Sequence, residues 1–241
     1  MITFSVLTYN IHSGRDAKKK YNLGAIIAVL KASGADILGL QEVDCKFHLR
    51  SNWEDQVKIL SDTLGMKTIF GPAIVFGDKK GEYGNLLLTN MPIIDHKTVT
   101  MSLGAHSKVK YDGTSNTEPR SYIFAEVDIG SGQVGVISTH LSFHSKEERL
   151  QQIKTIEKEI QEFDKPLILM GDLNTTEDSE EFSIFNTYLS NPSEGKTFIT
   201  KPDEERQIDF ILTRGLRTEK IEVIESDASD HYPVLAKFSL E

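Results

Sequence analysis

The stretch that decides the fold is LILMGDLN, residues 167–174. Its first four residues are apolar, which is typical of a short buried strand. The apolar run ends at Gly171, and two polar residues, Asp172 and Asn174, follow one residue apart. A turn that closes a core strand would explain this pattern, because Gly, Asp and Asn favour turns. A carboxylate and an amide at the end of a buried strand would equally suit metal binding or proton transfer.

Length and composition are those of an ordinary globular chain. The 241 residues are 39% hydrophobic and 26% charged, and the chain has no repeats or linker-like stretches, so we expect a single domain over residues 1–241. The net charge of -9 disfavours a protein that coats nucleic acid non-specifically. Cys45 is the single cysteine, which excludes an internal disulfide. We find no leader-like segment and no apolar run near the ~20 residues of a membrane span, so we expect no transmembrane segment, a cytoplasmic location and a monomer.

Hydrophobic periodicity predicts strands and helices in alternation at both ends of the chain and strands in the middle. Helices are predicted at residues 22–33, 53–64, 145–163 and 179–189. Strands are predicted at residues 4–9, 36–40, 68–76, 84–89, 94–101, 122–128, 134–141, 167–170, 208–212, 219–225 and 233–240. The second helix would present Trp53, Val57, Leu60 and Leu64 on one face. The polar stretch 104–119 predicts a long surface loop, and such loops are often functional. Two packed sheets with helices outside would bury this many apolar strands.

Six strand ends share one pattern, in which an apolar strand is followed by polar residues suited to phosphate or metal chemistry. They are Tyr9-Asn10, Gln41-Glu42, Thr139-His140-Leu141, Gly171-Asp172-Leu173-Asn174, Gln207-Ile208-Asp209 and Ser229-Asp230-His231. The carboxylates in this set suit a hard cation such as Mg²⁺, which prefers oxygen ligands. The two histidines suit proton transfer or contact with phosphate. Each segment alone has a structural explanation as a turn, a strand end or a satisfied histidine, but that explanation would have to hold six times independently.

Together these segments resemble the endonuclease/exonuclease/phosphatase family, the metal-dependent phosphoesterases related to deoxyribonuclease I and the repair exonucleases. The match runs from residue 7 to residue 233, and residues 40–43, 171–174 and 229–233 are its most specific parts. The resemblance implies an α/β fold: a four-layer α-β-β-α sandwich with two mixed, mainly antiparallel sheets packed face to face. It also implies a hydrolase, either a phosphodiesterase or a phosphomonoesterase, in which Mg²⁺ or Mn²⁺ assists the attack of water on phosphorus.

The resemblance assigns roles to individual residues. The metal ligands would be Asn10, Glu42, Asp172 and Asp230. The catalytic residues would be His140, Asp172, Asn174, Asp209, Asp230 and His231, and the substrate contacts would be Asn10, Tyr83, Asn85 and Arg120. We expect His140 to pair with Asp209, and His231 to pair with Asp230. The base would be either Asp172 or His231.

The substrate stays open between a small molecule and a nucleic acid. Inositol-polyphosphate phosphatases of this family carry an Arg after Asp-x-Asn, where this chain has Thr175-Thr176. Repair nucleases carry Trp-containing sequence there, and Trp53 is the one tryptophan here. The lysines and arginines are scattered apart from Lys18-Lys19-Lys20 and Lys79-Lys80, which favours a small phosphoester over long duplex DNA.

Three other functions compete with that of a metal-dependent phosphoesterase. A nuclease acting on DNA or RNA is the first alternative. A catalytically idle domain that binds a phosphorylated ligand or a partner protein is the second, and the complete set of catalytic residue types argues against it. A serine hydrolase is disfavoured because the chain has no Gly-x-Ser-x-Gly motif.

Overall fold

The computed structural model describes residues 2–76, 81–101, 118–199 and 206–241. The strands are β1 (Thr3–Asn10), β2 (Ile37–Cys45), β3 (Lys67–Phe76), β4 (Gly81–Thr89), β5 (Ile93–Met101), β6 (Arg120–Asp128), β7 (Gln133–His140), β8 (Leu167–Asp172), β9 (Asp209–Arg214), β10 (Leu216–Val223) and β11 (Val234–Leu240). The helices are α1 (Leu23–Ser33), α2 (Gln56–Leu64), α3 (Lys146–Glu162) and α4 (Ser183–Asn186), and 3-10 turns lie at His12–Gly14 and Leu49–Ser51.

The strands form two mixed sheets. The first has the order β10-β11-β1-β2-β4-β3 and the second has the order β5-β6-β7-β8-β9. Among the described strands, β1 pairs with β2 and β7 pairs with β8 in parallel, and the other neighbours are antiparallel. A parallel pair needs a crossover connection, which α1 and α3 supply. The prediction of two mainly antiparallel sheets is confirmed.

Three hydrophobic clusters hold the layers together. The central cluster lies between the sheets and includes Val6 from β1 and Ile168 from β8. Helices α1 and α2 cover the outer face of the first sheet through Ile26 and Leu60. Helix α3 covers the outer face of the second sheet through Ile156. The resulting order of helix, sheet, sheet and helix is the predicted four-layer sandwich.

The first four residues of β8 are all apolar because both faces of the strand are covered. Leu167 and Leu169 join the cluster under α3, whereas Ile168 and Met170 join the cluster between the sheets. Consecutive side chains of a strand point to opposite faces, so a strand buried on both faces needs an uninterrupted apolar run. At Gly171 the backbone φ is 149°, and a Cβ would lie 1.9 Å from the carbonyl oxygen of Thr139. Glycine therefore lets β8 end directly beside β7.

Local structure differs from the predictions in two places. Helix α2 begins at Gln56 because the Asp55 side chain caps it by accepting from the backbone N–H of Lys58. Trp53 lies before that cap and is 56% exposed, so its assignment to the apolar face of the helix was wrong. The predicted helix at 179–189 shortens to α4. Most of the predicted loop at 104–119 lies outside the described residues.

None of the described helices is long and apolar enough to cross a membrane.

Candidate active site

Strand ends from both sheets bring the predicted residues to one end of the sandwich. The parallel strands β1 and β2 end side by side, and in β7 and β8 His140 lies level with Asp172. Strand β9 starts where β8 ends, so Asp209 is the antiparallel partner of Asp172. The Ser229 hydroxyl donates to the carbonyl oxygen of Asn10 at 2.8 Å, which attaches the C-terminal predicted segment to β1.

The side chains at this end line a cleft of about 460 Å³. This size is in the range of ordinary small-molecule sites. The predicted residues that line it are Glu42, Tyr83, Arg120, His140, Asp172, Asn174, Asp230 and His231. The residues that line it without having been predicted are His12, Arg15, Arg50, Glu118, Phe143, Phe198, Arg206 and Ile208.

One amide joins carboxylates from the two sheets. The Nδ2 of Asn10 donates to Glu42 Oε1 at 3.2 Å and to Asp172 Oδ2 at 3.0 Å. Its Oδ1 accepts from the backbone N–H of His12 at 3.0 Å, which leaves that oxygen one free lone pair. As metal ligands, Asn10, Glu42 and Asp172 offer oxygen atoms only, and such a set suits Mg²⁺ or Mn²⁺ rather than a soft metal.

The backbone around Glu42 is unusual. Glu42 has φ 60°, and the pairing of β2 with β4 shifts register between Leu40 and Val43. Left-handed backbone at a non-glycine residue costs free energy and is concentrated at functional sites. The irregularity directs Glu42 to the cleft, whereas the neighbouring Gln41 is buried and donates to the Thr8 hydroxyl at 3.2 Å.

His231 is held by Asp209. Its Nδ1 lies 2.8 Å from Asp209 Oδ2, and both side chains are buried. Asp230 instead lies with its Oδ1 3.4 Å from Nδ1 of His12. The predicted pairing of His231 with Asp230 was therefore wrong, because Asp209 occupies the Nδ1 side of the ring and Asp230 turns to His12. Burial alone would lower the pKa of His231, but the Asp209 carboxylate outweighs burial and raises that pKa to about 10.

His140 contacts neighbours other than the predicted Asp209, so that pairing was also wrong. Its Nε2 lies 3.4 Å from Asp172 Oδ2, and its Nδ1 lies 3.3 Å from an Arg120 guanidinium nitrogen. A guanidinium only donates, so an Arg120 N–H points to Nδ1. Burial, followed by the charge of Arg120, holds the pKa of His140 well below its ordinary value. The imidazole is accordingly neutral, and its Nε2 lies beside both Asp172 and the Asn174 amide.

Asp172 is the residue on which these contacts converge. The backbone N–H of Asn174 donates to its Oδ1 at 3.0 Å, and Nε2 of His231 lies 3.8 Å from its Oδ2. The Asn174 side chain donates to the carbonyl oxygen of Leu141 at 3.0 Å and lies 3.0 Å from Nε2 of His140. Burial, followed by the nearby Asp209 charge, raises the pKa of Asp172 to about 7.

The remaining predicted residues divide into two groups. Tyr83 and Arg120 line the cleft, and the Arg120 guanidinium lies 3.2 Å from Glu118. Asn85 does not line the cleft, because its Nδ2 donates to the carbonyl oxygen of Ser121 at 2.8 Å and so ties β4 to β6. A contact between Asn85 and substrate stays a prediction that this geometry does not support.

The residues missed from sequence had weak signals or none. His12 and Arg15 follow Asn10 by two and five positions, so their place after a predicted site residue was a usable signal. Arg50 belongs to a polar segment without periodicity. It reaches the cleft because the buried carboxylate of Asp44 accepts two of its N–H groups, at 3.1 and 2.8 Å.

A second group of potential metal ligands lies deeper in the protein. Ligand atoms of Asp172, Asp209 and His231 lie within 4.8 Å of one another, and this buried group could also bind a metal ion. In this group Asp209 Oδ2 lies 2.8 Å from His231 Nδ1, whereas Asp209 Oδ1 is buried without a hydrogen-bond partner among the described residues. The Glu42 side of Asp172 differs in that it opens to the cleft.

The four-layer fold is the one that the resemblance implied. A sequence model of the Endonuclease/Exonuclease/phosphatase family matches residues 7–231, and the chain belongs to that family.

Known relatives extend the comparison. A UPF0294 protein from Vibrio cholerae is 31% identical over 134 residues, which cover 51% of this chain and 46% of the relative. The chain thus spans about half the length of the curated relatives it matches. A family member from Beutenbergia cavernae superposes with TM-score 0.81 and 22% identity over 100% of this chain and 72% of that one. A mannosyl-6-phosphatase from Bacteroides thetaiotaomicron superposes with TM-score 0.76 and 17% identity over 98% of this chain and 100% of that one. At these identities the solved structures establish the fold alone.

Proposed function

We propose that this chain is a divalent-metal-dependent phosphoesterase that hydrolyses a phosphodiester or a phosphomonoester by attack of water on phosphorus. The observation that carries the proposal is the convergence on Asp172. One carboxylate lies 3.0 Å from Nδ2 of Asn10, 3.4 Å from Nε2 of His140 and 3.8 Å from Nε2 of His231. Membership of the phosphoesterase family supports the reaction class.

The proposed metal ligands are Glu42, Asp172 and Asp230, with Asn10 holding the first two carboxylates together. All three line the cleft, and a hard divalent cation prefers carboxylate oxygens. When bound, Mg²⁺ or Mn²⁺ would neutralise phosphate oxygens and acidify water. The alternative ligand group, with Asp209 and His231, is less accessible, because Asp209 is fully buried and does not line the cleft.

The proposed acceptor for the proton of the attacking water is Asp172, because the raised pKa of His231, 3.8 Å away, keeps its imidazole protonated near neutral pH. Asp209 holds Nδ1 of His231, so the free Nε2 points to the reacting groups. The His140 ring can contact a phosphate oxygen, and the planar guanidinium of Arg120 suits the same anion. Asn174 supports Asp172 through its backbone N–H.

The proposed substrate is compact rather than a long duplex. The cleft of about 460 Å³ fits a small phosphoester, and the net charge of -9 opposes extended contact with a polyanion. The relative from Bacteroides thetaiotaomicron bears the name mannosyl-6-phosphatase, which makes a sugar phosphate one candidate. A nuclease acting on short DNA or RNA is the alternative.

The test is a metal-dependence screen of the purified chain. The substrates are bis-p-nitrophenyl phosphate, p-nitrophenyl phosphate, mannose 6-phosphate, short oligonucleotides, phosphoinositides and sphingomyelin, each with Mg²⁺, Mn²⁺ or EDTA. Asp172→Asn is the blank, and Asp62→Asn is the matched control because its carboxylate is 64% exposed. We expect hydrolysis that needs the metal and falls at least ~100-fold in Asp172→Asn, as for loss of a group that handles the proton. Hydrolysis that survives EDTA, or no hydrolysis above the blank, would refute the proposal.

A further inference from the structure

Arg15 is a cleft arginine without an acidic partner among the residues that the structure describes. Two other arginines of the cleft are neutralised, Arg50 by Asp44 at 2.8 Å and Arg120 by Glu118 at 3.2 Å. The Nε of Arg15 donates to the carbonyl oxygen of His12 at 3.2 Å. Within the described ranges, Arg15 makes no ion pair. Its charge is therefore available to a ligand in the cleft.

The chain beyond Arg15 adds further cations. Arg15 pairs with Tyr21 in a β-bridge, so residues 16–20 form the tip of a hairpin that begins at a residue of the cleft. The Asp16 carboxylate accepts from the backbone N–H groups of Lys18 and Lys20, at 2.9 and 2.8 Å, and so is used to order the loop. The side chains of residues 18–20 are exposed, and no ion pair between them and another described residue is present.

This concentration of positive charge opposes the overall charge. Four cations, Arg15 and the lysines at 18–20, lie within six positions of a chain whose net charge is -9. Exposed lysines favour solubility wherever they lie, so solubility alone does not account for three lysines next to a cleft arginine. An anion reaching from the cleft toward the hairpin would meet an excess of positive charge, in which Asp16 is the one acidic residue between positions 15 and 20.

We propose that Arg15, with Lys18, Lys19 and Lys20 on the adjoining hairpin, forms a subsite for a second phosphate of the substrate. The inference rests on the proposed function and narrows it to phosphoesters that carry another phosphate near the bond to be cleaved. Arg15 would bind that phosphate through its planar fork of N–H groups. The lysines would add attraction that falls with salt. Both a phosphorylated oligonucleotide end and a small bisphosphate offer this chemistry.

The test measures binding, so it does not depend on turnover. Two probe pairs differ by one phosphate: the dinucleotide TpT against pTpT, and fructose 6-phosphate against fructose 1,6-bisphosphate. Affinities are measured with Mg²⁺ by thermophoresis at about 50 and 200 mM salt, a range over which phosphate contacts weaken strongly. The variants are Arg15→Gln and the triple change of Lys18, Lys19 and Lys20 to Gln. The control is the triple change of exposed Lys31, Lys154 and Lys158 to Gln, which removes the same charge elsewhere.

We expect the doubly phosphorylated member of at least one pair to bind about tenfold more tightly at low salt, the size of a charge-assisted contact near solvent. Arg15→Gln should abolish most of that preference, the loop triple variant should reduce it, and the control should retain it. A preference confined to one pair would identify the source of the phosphate. Equal affinities within both pairs, no binding of any probe, or a preference that survives Arg15→Gln would overturn the inference. Failure of the metal-dependence screen would instead refute the proposed hydrolysis and leave the binding ratios unchanged.

Discussion

Replacing Asp209 with asparagine removes the negative charge behind His231 and nearly preserves the volume of the side chain. Asp209 is fully buried, and its Oδ2 lies 2.8 Å from Nδ1 of His231. A hydrogen bond to a charged group contributes about 1.5–3 kcal/mol, and each ~1.4 kcal/mol is a factor of ten in rate. We therefore expect kcat to fall by about 10- to 150-fold. KM should change little, because Asp209 does not line the cleft.

The assay is steady-state hydrolysis of the best substrate from the screen, with variants combined in two double-mutant cycles. Asp230→Asn is the matched comparison, because Asp230 is next to His231 in sequence but lies 3.4 Å from His12. The double variant Asp209→Asn/His231→Gln should be about as slow as His231→Gln alone, since residues that act as a unit are not additive. The losses in kcat caused by Asp230→Asn and His231→Gln should be closer to multiplicative in the corresponding double variant.

Two results would contradict this reasoning. One is an unchanged kcat in Asp209→Asn with the fold intact by circular dichroism. The other is strong non-additivity in the Asp230 cycle together with multiplicative losses in the Asp209 cycle, which would restore the pairing expected from sequence.

Three further expectations follow from the structure. Glu42→Gln should weaken Mn²⁺ binding, measured by electron paramagnetic resonance, by more than the ~10–100-fold typical of changes outside the ligand shell. The control Glu54→Gln should not weaken it, and equal Mn²⁺ affinities of the Glu42→Gln and unmodified proteins would exclude Glu42 as a ligand. Gly171→Ala should lower Tm by an amount equivalent to at least ~1–3 kcal/mol, because the new Cβ would lie 1.9 Å from the carbonyl oxygen of Thr139. The control Gly24→Ala, in the exposed part of a helix, should be neutral or stabilising, and an unchanged Tm of Gly171→Ala would show that β8 can shift. Between ~50 and 200 mM salt, kcat/KM on plasmid DNA should stay far below that on a small phosphodiester; efficient, steeply salt-dependent plasmid cleavage would contradict a compact substrate.

Local structure was predictable wherever local physics decides it. Asn22 caps α1 by accepting from Ala25, and Ser145 caps α3 by accepting from Glu148, at the positions where the predicted helices begin. The apolar run at 167–170 predicted a buried strand, and its two faces do belong to different hydrophobic clusters. These outcomes depend on residues within a few positions of each other, so the sequence displays the relevant information directly.

The group of site residues was also visible from the sequence, because each polar position stands at the end of its own apolar strand. Nearly all of them lie at the same end of the sandwich. Asn85 is the exception: it points to Ser121 between the sheets, although its strand delivers Tyr83 to the cleft. Which face a residue occupies next to a register shift is not apparent from an apolar pattern.

Only the tertiary structure decided which carboxylate serves which histidine. His231 is one residue from Asp230 in sequence, yet it is held by Asp209, 22 positions away. Sequence proximity suggested the wrong partner because Asp230 turns to His12. The register of β8 with β9 instead brings Asp209 opposite Asp172 and within reach of His231. The sequence by itself determined the strands, their apolar faces and the chemical types at their ends. The partners were decided by how strands from distant parts of the chain align, because register is fixed by packing across the whole core and leaves no mark on any one segment.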